Sequence, residues 1–421
     1  MSIERVRLGG LAEVTVSNVD KHSVDGQPAV RLCNYTDVYY QHVLDQSREY
    51  MVATASPDQI QKFRLQVDDV VITKDSETAD DIGIPALIAE TADDFVCGYH
   101  LAILRPNPQK TDGRYLNWVL QSDDLKAQFE NIAFGVTRVG LKTGRIKTLE
   151  IPVPGGRSAQ ARVADYLDRE TATIDALIEK QRHLLVVLLE RRREAIRAAV
   201  FGSNEACLNA DPLEALPEGW RSTKLRHVAT MHTGHTPSRS KPEYWEDPSI
   251  PWFTLADVWQ LRPGTRKYLG ETKSMISPLG LQNSAAELLP KGTVVLSRTA
   301  SVGFTGIMPR AMATSQDYWN WVCGPQLCPE FLWNVFRAMK SDFDSLKAGS
   351  THKTIYQADA AALQIPLPPV QTQQAIVSHL DRETAKIDTL IAKAERFIEL
   401  AQERRAALIT AAVTGQIEIP T

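Results

Sequence analysis

The chain has 421 residues, 43% of them hydrophobic and 23% charged, with a formal net charge of −4. That much apolar material supports two or more ordinary cores and excludes a disordered or fibrous protein. No apolar run approaches the roughly 20 residues that cross a bilayer, and MSIERVRLGG lacks the apolar core of a signal peptide, so a cytoplasmic protein without a membrane partner is expected.

In chain order, the first stretch reads as strand-rich, with an extended run from Val30 to Val38 and a strand from Asp69 to Thr73. Asp68 to Asp94 holds nine acids and one lysine and reads as solvent-facing or partner-facing. A short helix is predicted over Arg114 to Asn131, then a turn at Gly135-Val-Thr137 and an IPxP exit from Ile151 to Pro154. Between turn and exit, Arg138, Lys142, Arg145 and Lys147 stand without an acid from Thr137 to Lys147, as phosphate contact would favour. A solvated surface explains such a stretch equally well.

Next, Val163, Leu167, Ile174, Leu177, Ile178, Leu184, Leu185, Leu188, Leu189, Ile196 and Val200 recur at intervals of three and four, which predicts a long amphipathic helix. The second half repeats the order. Ile250 to Val258 resembles the Val30 to Val38 run, and Thr293 to Ser297 resembles the Asp69 to Thr73 strand. A helix over Glu330 to Lys347, a turn at Gly349-Ser-Thr351 and an IPxP exit from Ile365 to Pro368 follow. Arg221 to Lys273 carries nine Lys and Arg against five acids, with His227, His232 and His235 besides. A second long helix has Ile376, Leu380, Ile387, Leu390, Ile391, Phe397, Leu400, Leu408, Ile409 and Val413 in the same rhythm.

The two long helices are copies of one another. Gln160 to Gly202 aligns without a gap on Gln373 to Gly415 at an offset of 213, with 20 of 43 positions identical. The identities include LDRETA, Ile-Asp, Leu-Ile and Glu-Arg-Arg. Each copy starts after the IPxP stretch and stops at glycine, and forty residues make a rod of about 60 Å. A rod with one apolar stripe needs a partner, so an intramolecular antiparallel pair is predicted, with a coiled-coil dimer of two chains as the rival. The fold class is then α+β: two mixed α/β domains alternating with two long helices in an internal pseudo-two-fold repeat. The boundaries expected are 1–157 and 216–370 for the domains, 158–202 and 371–415 for the helices, 203–215 for a linker and 416–421 for a tail.

Chemistry-bearing motifs are missing. There is no Asn/Asp-Pro-Pro-Tyr/Phe of an adenine methyltransferase and no GxxxxGK[ST], the nearest being Gly135-VTRV-Gly140-Leu-Lys142. His232-Thr-Gly-His235 has ligand spacing without a third ligand, so no metal is expected. Cysteines 33, 97, 207, 323 and 328 lack disulfide or metal spacing and read as reduced packing residues. A nuclease built on scattered carboxylates leaves no pattern to search for, and a coiled-coil scaffold without DNA is a third reading.

The paired LDRETAxID helices, the Glu-Arg-Arg clusters, the closing AAVTG (Ala411 to Gly415), the IPLPP stretch (Ile365 to Pro369), LPEGW (Leu216 to Trp220) and the GxTPS-like Gly234-His-Thr-Pro-Ser238 resemble the specificity subunit of a bacterial type I restriction-modification enzyme along essentially the whole chain. The resemblance implies two target recognition domains, each reading one half of a split double-stranded DNA site, held apart by the helix pair. It implies no catalysis in this chain and no cofactor of its own. S-adenosylmethionine, ATP and Mg would belong to two docked methyltransferase subunits and to restriction/translocase subunits. A specificity chain of another phage-defence system built on the same parts is the alternative. The chain departs from the family at Ala159 and Thr372, where an acid usually precedes the glutamine, and its first half lacks LPEGW and GxTPS.

DNA contact is expected of the glycine-flanked basic segments. In the second half these are Gly234, Thr236, Ser238, Arg239 and Lys241, with Arg298, Thr299 and Ser301 just after a strand. Lys74, Arg138 and Lys142 are the first-half counterparts, and His352 and Lys353 stand where the basic turn recurs. Leu167, Ile174, Ile178, Leu380, Ile387 and Ile391 are expected to pair the helices. Arg191, Arg192, Arg404 and Arg405 are expected to set register or meet partners. Trp245 and Trp252 are expected to pack rather than read bases.

Overall fold

In the computed structural model, which describes residues 3–202, 213–345 and 354–419, each half is closed by pairing its first strand with its last. Ile3–Arg7 lies antiparallel to Glu150–Pro154, and Arg221–Lys224 antiparallel to Gln364–Leu367. The IPxP stretches are therefore strands. Pro152 and Pro366 lack the amide that a central ladder needs, and each sits in a sheet of only two strands.

The chain divides into two compact units, Met1–Arg182 with Arg396–Thr421, and His183–Glu395. In the first unit a five-stranded sheet has the order Ala12–Val16, Leu101–Pro106, Val70–Thr73, Pro85–Ile88, Val43–Leu44, beside a three-stranded sheet ordered Met51–Thr54, Ala29–Cys33, Phe95–Cys97. In the second unit a four-stranded sheet has the order Ala229–Thr233, Tyr318–Cys323, Val294–Ser297, Thr305–Ile307, beside a three-stranded sheet ordered Ser274–Ile276, Ile250–Phe253, Ala313–Thr314. The plan is the same. In both, the central strand of the small sheet runs parallel to the strand that leads into the large one.

The long helices run Arg157–Phe201 and Val370–Val413. Each ends in a glycine of left-handed backbone, Gly202 at φ 84° and Gly415 at φ 71°. At the second, the Gln416 amide reaches back to the Ala411 carbonyl at 2.9 Å, the long bond of a Schellman cap. In the first unit Val163, Ala164 and Leu167 share one core with Ile409, Ala412 and Val413, so the two segments run antiparallel there. In the second unit Ile196, Val200 and Phe201 share a core with Leu380, in the same sense. The helices pair within the chain, as the shared stripe requires.

One expectation is corrected. Arg114 to Asn131 is not one helix but two, Gly113–Leu120 and Asp123–Ile132, because buried Ser122 accepts from the Leu125 amide and caps the second. The second half breaks likewise into Pro329–Ala338 and Lys340–Ser345. Cys33 and Cys97 face one another in register on adjacent strands and are buried, so they pack. Burial raises the pKa of both thiols.

Candidate nucleic-acid interface

The central strand of each small sheet runs into a short helix that shares Asp-Val. Asn34 caps Tyr35–Tyr40, and Thr254 caps the 3-10 turn Leu255–Leu261. Three residues on, Asp37 and Asp257 accept from the capping amides at 2.7 and 3.0 Å, closing a reciprocal capping box at the same place in both units. Each short helix forms one wall of an open cleft.

Two further strands end at matching places in the two units. Thr73 pairs with Leu101, and Ser297 pairs with Tyr318, so Lys74 and Arg298 are structural equivalents. Both donate their amide at 2.9 Å to the residue before the next strand, His100 in one unit and Asp317 in the other. Both accept at 2.9 Å from the segment after the turn, from Leu141 and from Ile355. A polar bridge spans the crossing in each unit with the acid on opposite sides. His100 Nδ1 meets Asp75 Oδ2 at 2.9 Å, whereas Thr299 Oγ1 donates to Asp317 Oδ1 at 2.6 Å. Burial alone would raise the pKa of Asp75, but hydrogen bonds from Lys74 and His100 outweigh it and hold the carboxyl below its ordinary value.

The clefts differ in lining. The first unit's cleft, 640 Å³, is lined by Tyr35, Tyr39, Asp75, Glu77, Asp81 and Arg138. Tyr35 and Tyr39 stack at 5.4 Å, and the Tyr39 hydroxyl donates to Asp81 at 3.0 Å, which raises the pKa of the phenol. The second unit's cleft, 480 Å³, is lined by Thr236, Arg239, Trp252, Lys273, Gln316 and Asp317. One sets tyrosines and three acids beside a single arginine; the other sets two cations, a carboxamide and a tryptophan beside a single acid.

The expected contact residues are distributed unevenly over these walls. Arg239 is exposed and lies 5.5 Å over the Trp245 ring, while Thr236 donates to Gln316 at 2.6 Å. Ser238 bonds Ser240, and the Lys241 ammonium donates to the Tyr244 hydroxyl at 3.1 Å, which raises its pKa. Gly234 is buried, and the close approach it permits is to Thr314 and Ser315 of the same chain. Arg138 is exposed in the first cleft, and Lys142 is exposed nearby, 4.5 Å over the Phe134 ring. Lys74 and Arg298 are held by their own domains. Lys74 bonds Asp75 at 2.6 Å and faces Tyr99, and Arg298 lies 4.4 Å over Trp319. Ser301 is half-buried beside Thr299. Trp252 is buried, with Trp245 packed beside it. His352 and Lys353 lie outside the described residues.

On the long helices, Leu167, Ile174, Ile178, Leu380 and Ile387 are buried, and Ile391 is half-buried. Arg192 Nε meets Asp388 at 3.1 Å, and Arg405 Nε meets Asp175 at 3.0 Å. Under the offset of 213 these are one ion pair written twice with the helices exchanged. Arg191 and Arg404 are exposed. The aspartates of LDRETA bind the globular domains: Asp168 accepts from Trp118 Nε1 at 2.7 Å, and Asp381 from Lys267 at 2.7 Å.

Sequence reasoning passed over the glutamines that open the repeat. Buried Gln160 accepts from the Asp112 amide and donates to the Lys110 carbonyl, both at 2.9 Å. Gln373 likewise accepts from the Cys328 amide at 2.8 Å and donates to the Gln326 carbonyl at 2.9 Å. Their identity at one offset was the available signal.

The family described as the type I restriction modification DNA specificity domain matches this chain twice, over residues 3–185 and 217–399. The chain belongs to that family. The type I restriction enzyme MjaIX specificity subunit of Methanocaldococcus jannaschii is 25% identical over 167 residues, 39% of this chain and 38% of the relative. The EcoR124I/EcoR124II specificity subunit of Escherichia coli is 24% identical over 204 residues, 46% and 48% of the two chains. In both pairings the match spans less than half of the relative. A chain from a structure on complex assembly and conformational transition of the type I R-M system superposes with a TM-score of 0.71 at 18% identity, covering 99% of this chain and 98% of the other. The HsdS subunit from Thermoanaerobacter tengcongensis gives 0.52 at 18% identity, covering 99% and 97%. Two copies of the specificity domain therefore share the fold of known specificity subunits.

Proposed function

We propose that this chain is the non-catalytic specificity subunit of a type I restriction-modification complex, reading an asymmetric bipartite DNA site with one cleft per unit. The observation that carries the proposal is a cleft in each unit, both walled by the equivalent short helix and otherwise unlike in lining, which suits two different half-sites. Among the described residues, Arg138 in one cleft and Arg239 with Lys273 in the other are exposed cations placed to face DNA. Lys142 and Lys241 flank them, and Thr236 with Ser238 supplies hydroxyls for phosphate oxygens. His352 and Lys353 keep their place in the proposal on sequence grounds.

Partner docking belongs to the same reading. The second unit exposes Leu184 and Val187 at 40 and 43%, and the first unit exposes Phe397 and Leu400, their counterparts at the offset of 213, at 40 and 46%. Two equivalent apolar stripes suit two copies of one methyltransferase subunit. Restriction subunits, S-adenosylmethionine, ATP and Mg would join through partners, and a cytoplasmic complex on DNA follows.

The test is single-molecule methylation sequencing of host DNA expressing this chain with its neighbouring methyltransferase subunit, against the methyltransferase alone. A split motif of methylated adenines that disappears when the chain is omitted is the expected result. A complex that forms without any motif would overturn the DNA-reading role and leave a scaffold.

A further inference from the structure

The second unit holds a cationic cavity in which three arginines have no carboxylate partner among the described residues. Arg192, Arg193, Arg262, Arg337 and Lys340 line a cavity of 280 Å³ together with Trp333. Arg192 is accounted for by Asp388 and by the Pro263 and Gly264 carbonyls at 3.3 and 2.6 Å. Arg337 is not. Its guanidinium lies 4.2 Å over the Trp333 ring and donates to the Asn334 side chain at 2.9 Å, and among the described residues no carboxylate pairs with it. Burial and the neighbouring Arg192 charge push its pKa down to about 9, with Asp388 and Asp381 only partly restoring it. Arg193 and Arg262 are exposed and form no ion pair among the described residues.

A half-buried cation without a counter-ion is costly, so a cavity that holds Arg337 in that state, with exposed Arg193 and Arg262 beside it, is set up to receive an anion. The scaffold does not need them. In the first unit the position equivalent to Arg337, counted from the helix caps Asp112 and Cys328, is Gln121, and the position equivalent to Arg193 is Ala406. At these two positions the first unit has neutral side chains.

We propose that this cavity is a binding site for a phosphate group, with Arg337, Arg193 and Arg262 as the charged donors and Trp333 as an apolar wall. A guanidinium fork matches a phosphate oxygen pair, and the charge-assisted bonds form in a setting partly shielded from water. The phosphate has two sources, a free phosphate or nucleotide and the backbone of bound DNA. The inference stands apart from the cleft assignment, because none of these residues lines either cleft.

The experiment uses the full chain in chloride buffer, with inorganic phosphate, adenosine monophosphate and duplex DNA lacking the methylated motif as probes. Calorimetry and thermal unfolding are read for the wild type, Arg337→Gln and Arg193→Ala, the two residues that the first unit carries. Saturable binding of phosphate or the nucleotide, with a raised unfolding midpoint, is expected in the wild type. Each variant should weaken it about tenfold, the size of one charge-assisted hydrogen bond. Unliganded Arg337→Gln should unfold no lower than the wild type, since it removes an unpaired charge. If only duplex affinity falls in the variants, with a shallower salt slope, the phosphate is that of DNA. Equal affinity of wild type and both variants for all three probes would overturn the site, and Arg193→Ala, being exposed, keeps the test open should Arg337→Gln misfold.

Discussion

The two units place the same ion pair on opposite helices, yet in different settings. In the second unit Arg192 is 9% exposed in its side chain and its partner Asp388 is 28% exposed; in the first, Arg405 is 16% and Asp175 48% exposed. The sequence motif is identical, so the difference comes from what each globular domain adds. Pro263 and Gly264 cover Arg192 with carbonyls, whereas Arg405 has only the Trp118 ring at 5.6 Å. A duplicated scaffold can thus keep its register device while each domain adjusts how much that device stabilises.

Breaking the pair on each side measures that adjustment. Arg192→Ala leaves Asp388 and two carbonyls without their donor and should cost roughly 3 kcal/mol in urea unfolding. Arg405→Ala, with a partner near half exposure, should cost about 1 kcal/mol. Equal losses would show that the surroundings do not matter. The glutamine clamps should behave alike in both units: Gln160→Ala and Gln373→Ala each strand a buried amide and carbonyl, for about 2 kcal/mol.

The clefts provide the third comparison. Arg239→Ala should relax the methylated motif in one half-site only, at a cost of about 1–2 kcal/mol in duplex affinity, while Arg138→Ala should affect the other half. Loss in both halves from either substitution would contradict one cleft per half-site. The smallest effect concerns the swapped polar bridge. The Asp75 carboxyl has a lowered pKa in the folded chain, so it releases its proton more readily than in the unfolded chain. Its stabilisation is present above the ordinary carboxyl range and is lost as pH falls through the folded value. Asp75→Asn should flatten that acid-side loss in thermal unfolding followed from pH 6 downward.

The long helices were legible because a 3.6-residue period and a gapless repeat are local signals that tertiary context seldom overrides. Arg192 and Arg405 were legible as register charges, but their acids were not named, since pairing Asp175 with Arg405 requires knowing how two distant segments align. Lys74 and Arg298 were matched correctly as strand ends, yet Tyr99 and Trp319, which hold them, are contacts made only in three dimensions. Gly234 was read as room for a ligand, whereas its close approach serves internal packing against Thr314. The cleft walls at Tyr35, Tyr39 and Lys273 escaped notice because side chains on a short helix and a loop carry no period. The repeated Asp-Val was visible, and the aromatic after it, Tyr39 or Trp259, was the further hint.

The strand closure of each half has a consequence for how such chains change. Because Ile3–Arg7 lies against Glu150–Pro154, and Arg221–Lys224 against Gln364–Leu367, the backbone enters and leaves each recognition domain side by side. Everything between the paired strands enters and leaves the chain through a single two-stranded seam and packs on the helices with which it shares a core. A gene segment encoding a different interior could replace it provided the residues that meet the helices were kept, so new combinations of domains could arise by recombination at the seams rather than by point mutation.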